Sequence, residues 1–353
     1  MKLQNFVALG VFFISCSLSY AADGILVALP DEVPVPMANP MTPAKIELGK
    51  QLYFDTRLSK NGKVSCNTCH NVMKGGDDNL PVSNGINNKH GGRSAPTVWN
   101  SAYLSVQFWD GRAPSLEEQA KGPMLNPVEM GMGSHDEVMS RLKKIPGYQK
   151  EFKAIFGTAA GDASVDPVTF MTIDHAVQAI AAYERTLVTP NSPFDRYIKG
   201  DQKALTPAAL NGYKLVQTVG CIACHNGPNF AGPKLPEGTG FYQKFPTFPG
   251  TEYEKKYHLA DDMGRYEVTK SEVDRHMWRV PTWRNIALTA PYFHNGSVKT
   301  LDEAVRVMAK VQLNKELLAS EVHDIVAFLQ SLNGVRPKQT KPELPKGSKE
   351  TLF

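Results

Sequence analysis

The chain has 353 residues, 42% of them apolar and 21% charged, and a net charge of +4. That composition suits a globular protein of one to three domains with ample core. The small charge excludes a strongly basic nucleic-acid binder, and beyond the N-terminus no stretch is apolar over the length a bilayer span requires. The first residues, MKLQNFVALGVFFISCSLSYAADG, combine an early Lys, an apolar run and small residues. They read as a secretory signal peptide over residues 1–21, cut after Ala21. Phe13 and Ile14 fit poorly with a lipoprotein role for Cys16. The expected location of the mature chain is the periplasm.

Thr42-Pro43-Ala44 opens a periodic segment with Gly49 and Leu52, Thr and Pro being the N-cap and first position of a helix. It leads to Cys66-Asn67-Thr68-Cys69-His70. Thr206-Pro207-Ala208 opens a second such segment, with Gly212 and Leu215, and leads to Cys221-Ile222-Ala223-Cys224-His225. Once Cys16 leaves with the leader, these four cysteines are all that remain. Exported cysteines can form disulfides, and a lone C-x-x-C can be a redox pair or half a zinc site. Two copies, each followed by His, instead spell the c-type haem attachment word, in which two thioethers fix the porphyrin and His ligates iron. Two covalent haems c are expected, with His70 and His225 as proximal ligands.

The duplication continues. PTVWN (96–100) matches PTWRN (281–285), and FWDGRAPSLEEQA (108–120) matches FHNGSVKTLDEAV (293–305), at a constant offset of 185 residues. Each half closes with an amphipathic helix: Ile173, Ala176, Val177, Ile180 and Leu187 in the first, Val322, Ile325, Val326, Leu329 and Leu332 in the second. The order helix, C-x-x-C-H, loop, Pro-Thr segment, closing helix is that of a class I cytochrome c. The expected fold is mostly α: two tandem class I cytochrome-c-like domains, residues 22–190 and 191–336, meeting at the turn-rich Thr189–Pro193, with a C-terminal arm over 337–353. The Pro-rich segments 30–43 and 336–353 read as extended arms that pack across the other domain.

A Met sixth ligand raises a haem's potential and suits electron transfer, whereas His or an open site suits catalysis. Met308, on a helix expected from Leu301 to Lys310, is placed to serve the second haem; Met263 and Met277 are rivals in a longer loop.

Together ELGKQLYFD, CNTCHN, GGDDN, APTVWN, QFWDGRA, QAKGP, NPVEM, TLVTP, CHNGP, VPTWRNI and LTAPYFHNG strongly resemble the bacterial di-haem cytochrome c peroxidases, over essentially the whole mature chain. The resemblance implies an exported, calcium-containing homodimer. Such an enzyme reduces hydrogen peroxide to water with electrons from a small c-type cytochrome or cupredoxin. It implies that the His225/Met308 haem receives electrons and that the His70 haem is peroxidatic. It matches Trp109 to the tryptophan between the haems, Glu129 to the distal glutamate and Gln119 to the distal glutamine. Peroxide cleavage needs a proton moved from one oxygen to the other, which a carboxylate can carry. The family's calcium ligands fall on the backbone oxygens of Thr289 and Pro291 and on Ser94, where the family has an Asn; backbone oxygens suit a hard cation.

The pattern breaks in VSNGINNKHGG, residues 82–92. Many family members cap the oxidised peroxidatic haem with a His sixteen residues after the proximal one. Here that position is Ile86, which cannot bind iron, and His90 is the nearby histidine. Three readings stand: His90 caps the iron from a shifted loop, the site is open and needs no reductive activation, or the haem is inert. Two other functions compete with the peroxidase: a di-haem electron carrier without a substrate, which leaves Glu129 and Gln119 unexplained, and a MauG-like oxidase of a partner protein, a branch that has Tyr where Met308 stands.

Overall fold

A computed structural model describes residues 26–157 and 165–347; Cys16 and the cleavage expected after Ala21 lie outside them. The chain is mostly helical. Helix α1 (Pro43–Phe54) starts as its sequence dictates, with the Thr42 hydroxyl accepting from the Lys45 amide and Pro43 at the first position. The single turn α2 (Cys66–Cys69) carries the first cysteine pair. Helices α3 (Leu116–Leu125), α4 (His135–Lys143) and α5 (Pro146–Phe156) follow, and α6 (Ile173–Glu184) returns across α1. After α7 (Pro193–Ile198), Thr206 caps α8 (Pro207–Val219) as Thr42 caps α1. Strands β1 (Tyr242–Lys244) and β2 (Met277–Arg279) pair antiparallel, with Gln243 opposite Trp278. Between them lie α9 (Glu252–Tyr257) and α10 (Tyr266–Thr269). Helix α11 (Leu301–Leu313) precedes α12 (Ala319–Gln330), which crosses α8.

The two crossings, α1 on α6 and α8 on α12, anchor the two halves. The apolar stripes of both closing helices are buried, apart from the half-buried Ile173. At each crossing the backbones touch. A Cβ on Gly49 would sit 1.8 Å from the Ala179 carbonyl oxygen, and one on Gly212 would sit 1.9 Å from that of Asp324. Glycine is the residue that allows so close an approach.

The 185-residue repeat is also a backbone repeat. Asn100 and Asn285 share φ 61° and ψ 14°. Phe108 and Phe293 share φ 69°. Short antiparallel bridges join Gln107 to Ala113 and Tyr292 to Val298. The junction is buried rather than loose: Thr189 and Ser192 are fully enclosed. The Thr189 hydroxyl accepts from the Asn100 amide at 2.7 Å and from the Asn285 amide at 2.8 Å.

Both arms cross. Leu26 packs in the core of the second half, and the Leu29 amide donates to Asp195. Further along, Asn39 turns back to its own half, bonding Glu117 and the Gln178 carbonyl. In the C-terminal arm, the Pro345 carbonyl accepts from Arg57, and Gln339 accepts from the Tyr183 hydroxyl.

Gly49→Ala and Gly212→Ala should each lower stability by about 1–3 kcal/mol or more, since overpacking against backbone has little room to relax. Gly92→Ala, where a Cβ meets nothing within 4 Å, should be near neutral. Urea unfolding of the three variants checks this.

Candidate functional site

The turn α2 holds Cys66, Cys69 and His70 on one wall of a cavity with about 1310 Å³ of empty space. His70 Nδ1 lies 2.9 Å from the Pro96 carbonyl oxygen, which leaves Nε2 for another bond. The Tyr53 hydroxyl donates to the His70 carbonyl at 2.9 Å. Burial holds the imidazole in its neutral, ligating form. The thiols are unpaired. Burial pushes Cys66 up strongly and Cys69 up to about 11. A redox C-x-x-C pair works through a lowered thiol pKa, so these buried thiols beside an open cavity fit thioether attachment to haem better.

The second word is arranged alike. His225 is buried, its Nδ1 lies 3.1 Å from the Phe230 carbonyl oxygen, and burial lowers its pKa to about 4. Two cavities, of about 680 and 810 Å³, share Cys221, His225 and Met308. Both are almost wholly apolar and suit a porphyrin face. Met308, on α11, lines both. Met263 is held elsewhere, its sulfur accepting from Arg275, and Met277 sits in β2; neither borders these cavities.

Glu129 and Gln119 both line the first cavity. Gln119 projects from α3, which Ser115 caps. The Asn126 amide donates to Glu129 Oε1 at 2.7 Å, leaving the other oxygen free. Burial raises the Glu129 pKa, partly offset by Arg112 and Asn126. Trp109 lines the His70 cavity and both His225 cavities, and its indole N–H donates to the Ser94 carbonyl at 2.9 Å. Ser94, Thr289 and Pro291 border a further cavity of about 540 Å³ that Trp109 also lines. Among the described residues no three His, Cys, Asp or Glu side chains cluster as metal ligands.

In the 82–92 loop, Ile86 is buried against Gly131, and its amide donates to the Glu129 carbonyl at 2.8 Å. His90 is exposed and does not border the cavity. No histidine from this loop faces His70, while Gly85 and Gly91 form part of the rim.

Three cavity residues escaped the sequence reading. Arg93 bridges Asp110 and Asp262, linking the halves at the first cavity. Arg279 is buried and borders cavities of both histidines; its Nε donates to the Phe108 carbonyl at 2.9 Å. Burial lowers its pKa to about 10, so it stays charged near neutrality. Glu184, on α6, is buried with one oxygen unpartnered. These roles arise from long-range packing, and no local spacing signals them.

The family profile described as di-haem cytochrome c peroxidase matches residues 43–203. Among curated proteins, the cytochrome c551 peroxidase of Nitrosomonas europaea is 42% identical over 99% of this chain and 98% of its own length. That of Pseudomonas aeruginosa is 43% identical over 94% and 90%. The methylamine utilization protein MauG of Methylorubrum extorquens is 34% identical over 90% and 86%. Among solved structures, a MauG-like protein associated with microbial copper homeostasis superposes with a TM-score of 0.72 at 27% identity, covering 87% of this chain and 95% of that one. No helix among the described residues is long and apolar enough to cross a membrane.

Burial raises the Glu184 pKa to about 8. The folded chain therefore keeps a proton that the unfolded chain releases, and the stability this proton provides is lost as pH rises from the usual carboxylate range through about 8. Urea midpoints measured between about pH 5 and pH 8.5 should fall with pH, and Glu184→Gln should flatten that slope.

Proposed function

The chain belongs to the di-haem cytochrome c peroxidase family, and we propose that it is exported to the periplasm and there reduces hydrogen peroxide to water. Electrons come from a small c-type cytochrome or cupredoxin. The mature chain begins after Ala21 and forms two tandem class I cytochrome-c-like domains, 22–190 and 191–336, followed by the arm 337–353. Each domain carries one covalent haem c, attached at Cys66 and Cys69 with His70 as ligand, and at Cys221 and Cys224 with His225 and Met308. Calcium sits between the domains on the Thr289 and Pro291 carbonyls, beside Ser94, and the functional unit is a homodimer.

One observation carries the reading. Trp109 borders the cavities of both histidines, whereas Glu129 and Gln119 border the first alone. Proton-handling groups at one site and a methionine at the other divide peroxide chemistry from electron entry.

When bound, the haem iron supplies the redox-active Lewis acid at which peroxide is cleaved. Reduction consumes two electrons and two protons per peroxide and yields two waters. Glu129, anchored through one oxygen by Asn126, uses the other to take a proton from one peroxide oxygen and return it to the second, which leaves as water. The Gln119 amide orients the peroxide by hydrogen bonding. Arg112 favours the charged form of Glu129, the form that can act as base, against the desolvation that raises its pKa. The Trp109 indole, fixed by its bond to Ser94, stands where an electron crosses between the halves. The buried Ile86 and the exposed His90 support an open peroxidatic site that needs no reductive activation.

Glu129→Gln should lower kcat by roughly 10²–10⁴-fold with little change in haem content. Met308→Leu should abolish turnover driven by a reduced cytochrome; unchanged turnover would sink the assignment of the entry haem. The state of the first site is read by EPR of the fully oxidised, calcium-loaded protein. A high-spin ferric signal beside a low-spin one is expected, while two low-spin signals would mean that a second ligand is bound and would overturn the open site.

A further inference from the structure

Backbone carbonyls hold both proximal histidines, but only the second is also stacked on an aromatic ring. His70 is oriented through Nδ1 by the Pro96 carbonyl, which belongs to its own Pro-Thr segment. His225 is oriented by the Phe230 carbonyl, from a loop five residues downstream. The Pro-Thr segment of the second half also bonds its histidine through the Pro281 backbone, as Pro96 does in the first, and adds a side chain that the first half lacks. The Trp283 indole lies flat on the His225 imidazole, with ring centroids 4.2 Å apart and planes 17° from parallel. Phe230 continues the tier at 5.8 Å and 22° from Trp283.

The neighbouring residue locks this arrangement. Phe230 is fully buried and held at φ 51°, a left-handed conformation unfavourable for a bulky side chain. Arg284 stabilises it: its guanidinium sits over the Phe230 ring at 5.4 Å, its Nε donates to the Pro228 carbonyl at 2.6 Å, and it pairs with the buried Asp195. The segment 281–285 thus holds the ligand directly through Trp283 and, through Arg284, holds the loop whose carbonyl orients it. At the equivalent positions of the first half stand Val98 and Trp99. Val98 borders the His70 cavity, but an aliphatic side chain has no flat face to hold a ring in plane.

We propose that Trp283 is the positioning residue of the second haem site: its indole fixes the plane of His225 and keeps water off that face of the ligand. This rests on the reading of His225 as the ligand of an electron-entry haem. Outer groups that orient a metal-binding histidine set its basicity and the properties of the metal. A ligand that does not swing between redox states suits a site that only passes electrons. The first half lacks the device, in keeping with a site where chemistry occurs.

The test compares haem-loaded Trp283→Val, which installs the residue of the first half, with Trp283→Phe, which keeps an aromatic face, and Trp283→Leu, which keeps bulk without one. EPR g-values of the low-spin ferric signal and the potentiometric midpoint of that haem are read without peroxide. Haem content is checked by absorbance. In Trp283→Val the g-values should spread and shift, the midpoint should move, and cytochrome-driven turnover should fall roughly 10- to 100-fold; Trp283→Phe should restore most of each. If Trp283→Val fails to load haem, Trp283→Leu must show the displaced signal. Parental g-values and midpoint in whichever of these two loads would overturn the proposal. An inactive parent protein would count against the peroxidase reading alone, because the spectroscopic comparison needs no turnover.

Discussion

One buried hydroxyl holds the two halves together. Thr189 Oγ1 receives the side-chain amides of Asn100 and Asn285, two residues at the same place in the repeat and in the same backbone conformation. The Thr189 amide in turn donates to Asn100 Oδ1, and the Gly334 amide donates to Asn285 Oδ1. The three side chains are fully enclosed, where an unsatisfied amide or hydroxyl costs about 1–3 kcal/mol. The network is satisfied in one relative placement of the halves. That placement puts Trp109 against the cavities of both histidines and lets Arg279 do the same from the other half.

Charge reinforces the arrangement. Arg284 and Asp195 form an ion pair with no exposure on one side and 1% on the other. A pair so deep is weak evidence for net stability. Its value lies in what else it holds. Asp195 also accepts from the Leu29 and Ser192 amides, and Arg284 fixes the loop behind His225. The start of the second half, the N-terminal arm and the proximal loop are thereby tied to one carboxylate. Arg93, between Asp110 and Asp262, plays the corresponding part at the edge of the first cavity.

Much of this was legible because it is written locally. The Thr-Pro caps of α1 and α8, the stripes of α6 and α12 and the two C-x-x-C-H words each need only a few neighbouring residues to be read. Met308 could be preferred to Met263 and Met277 from its position after the FHNG segment, and of the three it alone borders the two cavities at His225. The break at Ile86 was visible by counting from His70, but not that Ile86 would pack on Gly131 while His90 stayed exposed; that depends on a backbone hydrogen bond to Glu129, over forty residues away. Arg93, Arg279 and Glu184 became visible only once distant segments met. Trp283 lay between these extremes: aligning PTVWN with PTWRN shows an aromatic ring facing Val98, but its stacking on His225 needs three dimensions.

The crossed arms bear on how the chain comes apart. Residues near the N-terminus complete the core of the second half, and residues near the C-terminus lie along α1, α5 and α6 of the first. Neither half has all its contacts until the other end of the chain is in place. Pulling on either terminus would strip packing from the more distant half in sequence. Two modules that look separable on paper are therefore coupled into one cooperative unit, and cutting the chain near Thr189 would leave each fragment without a piece of its own wall.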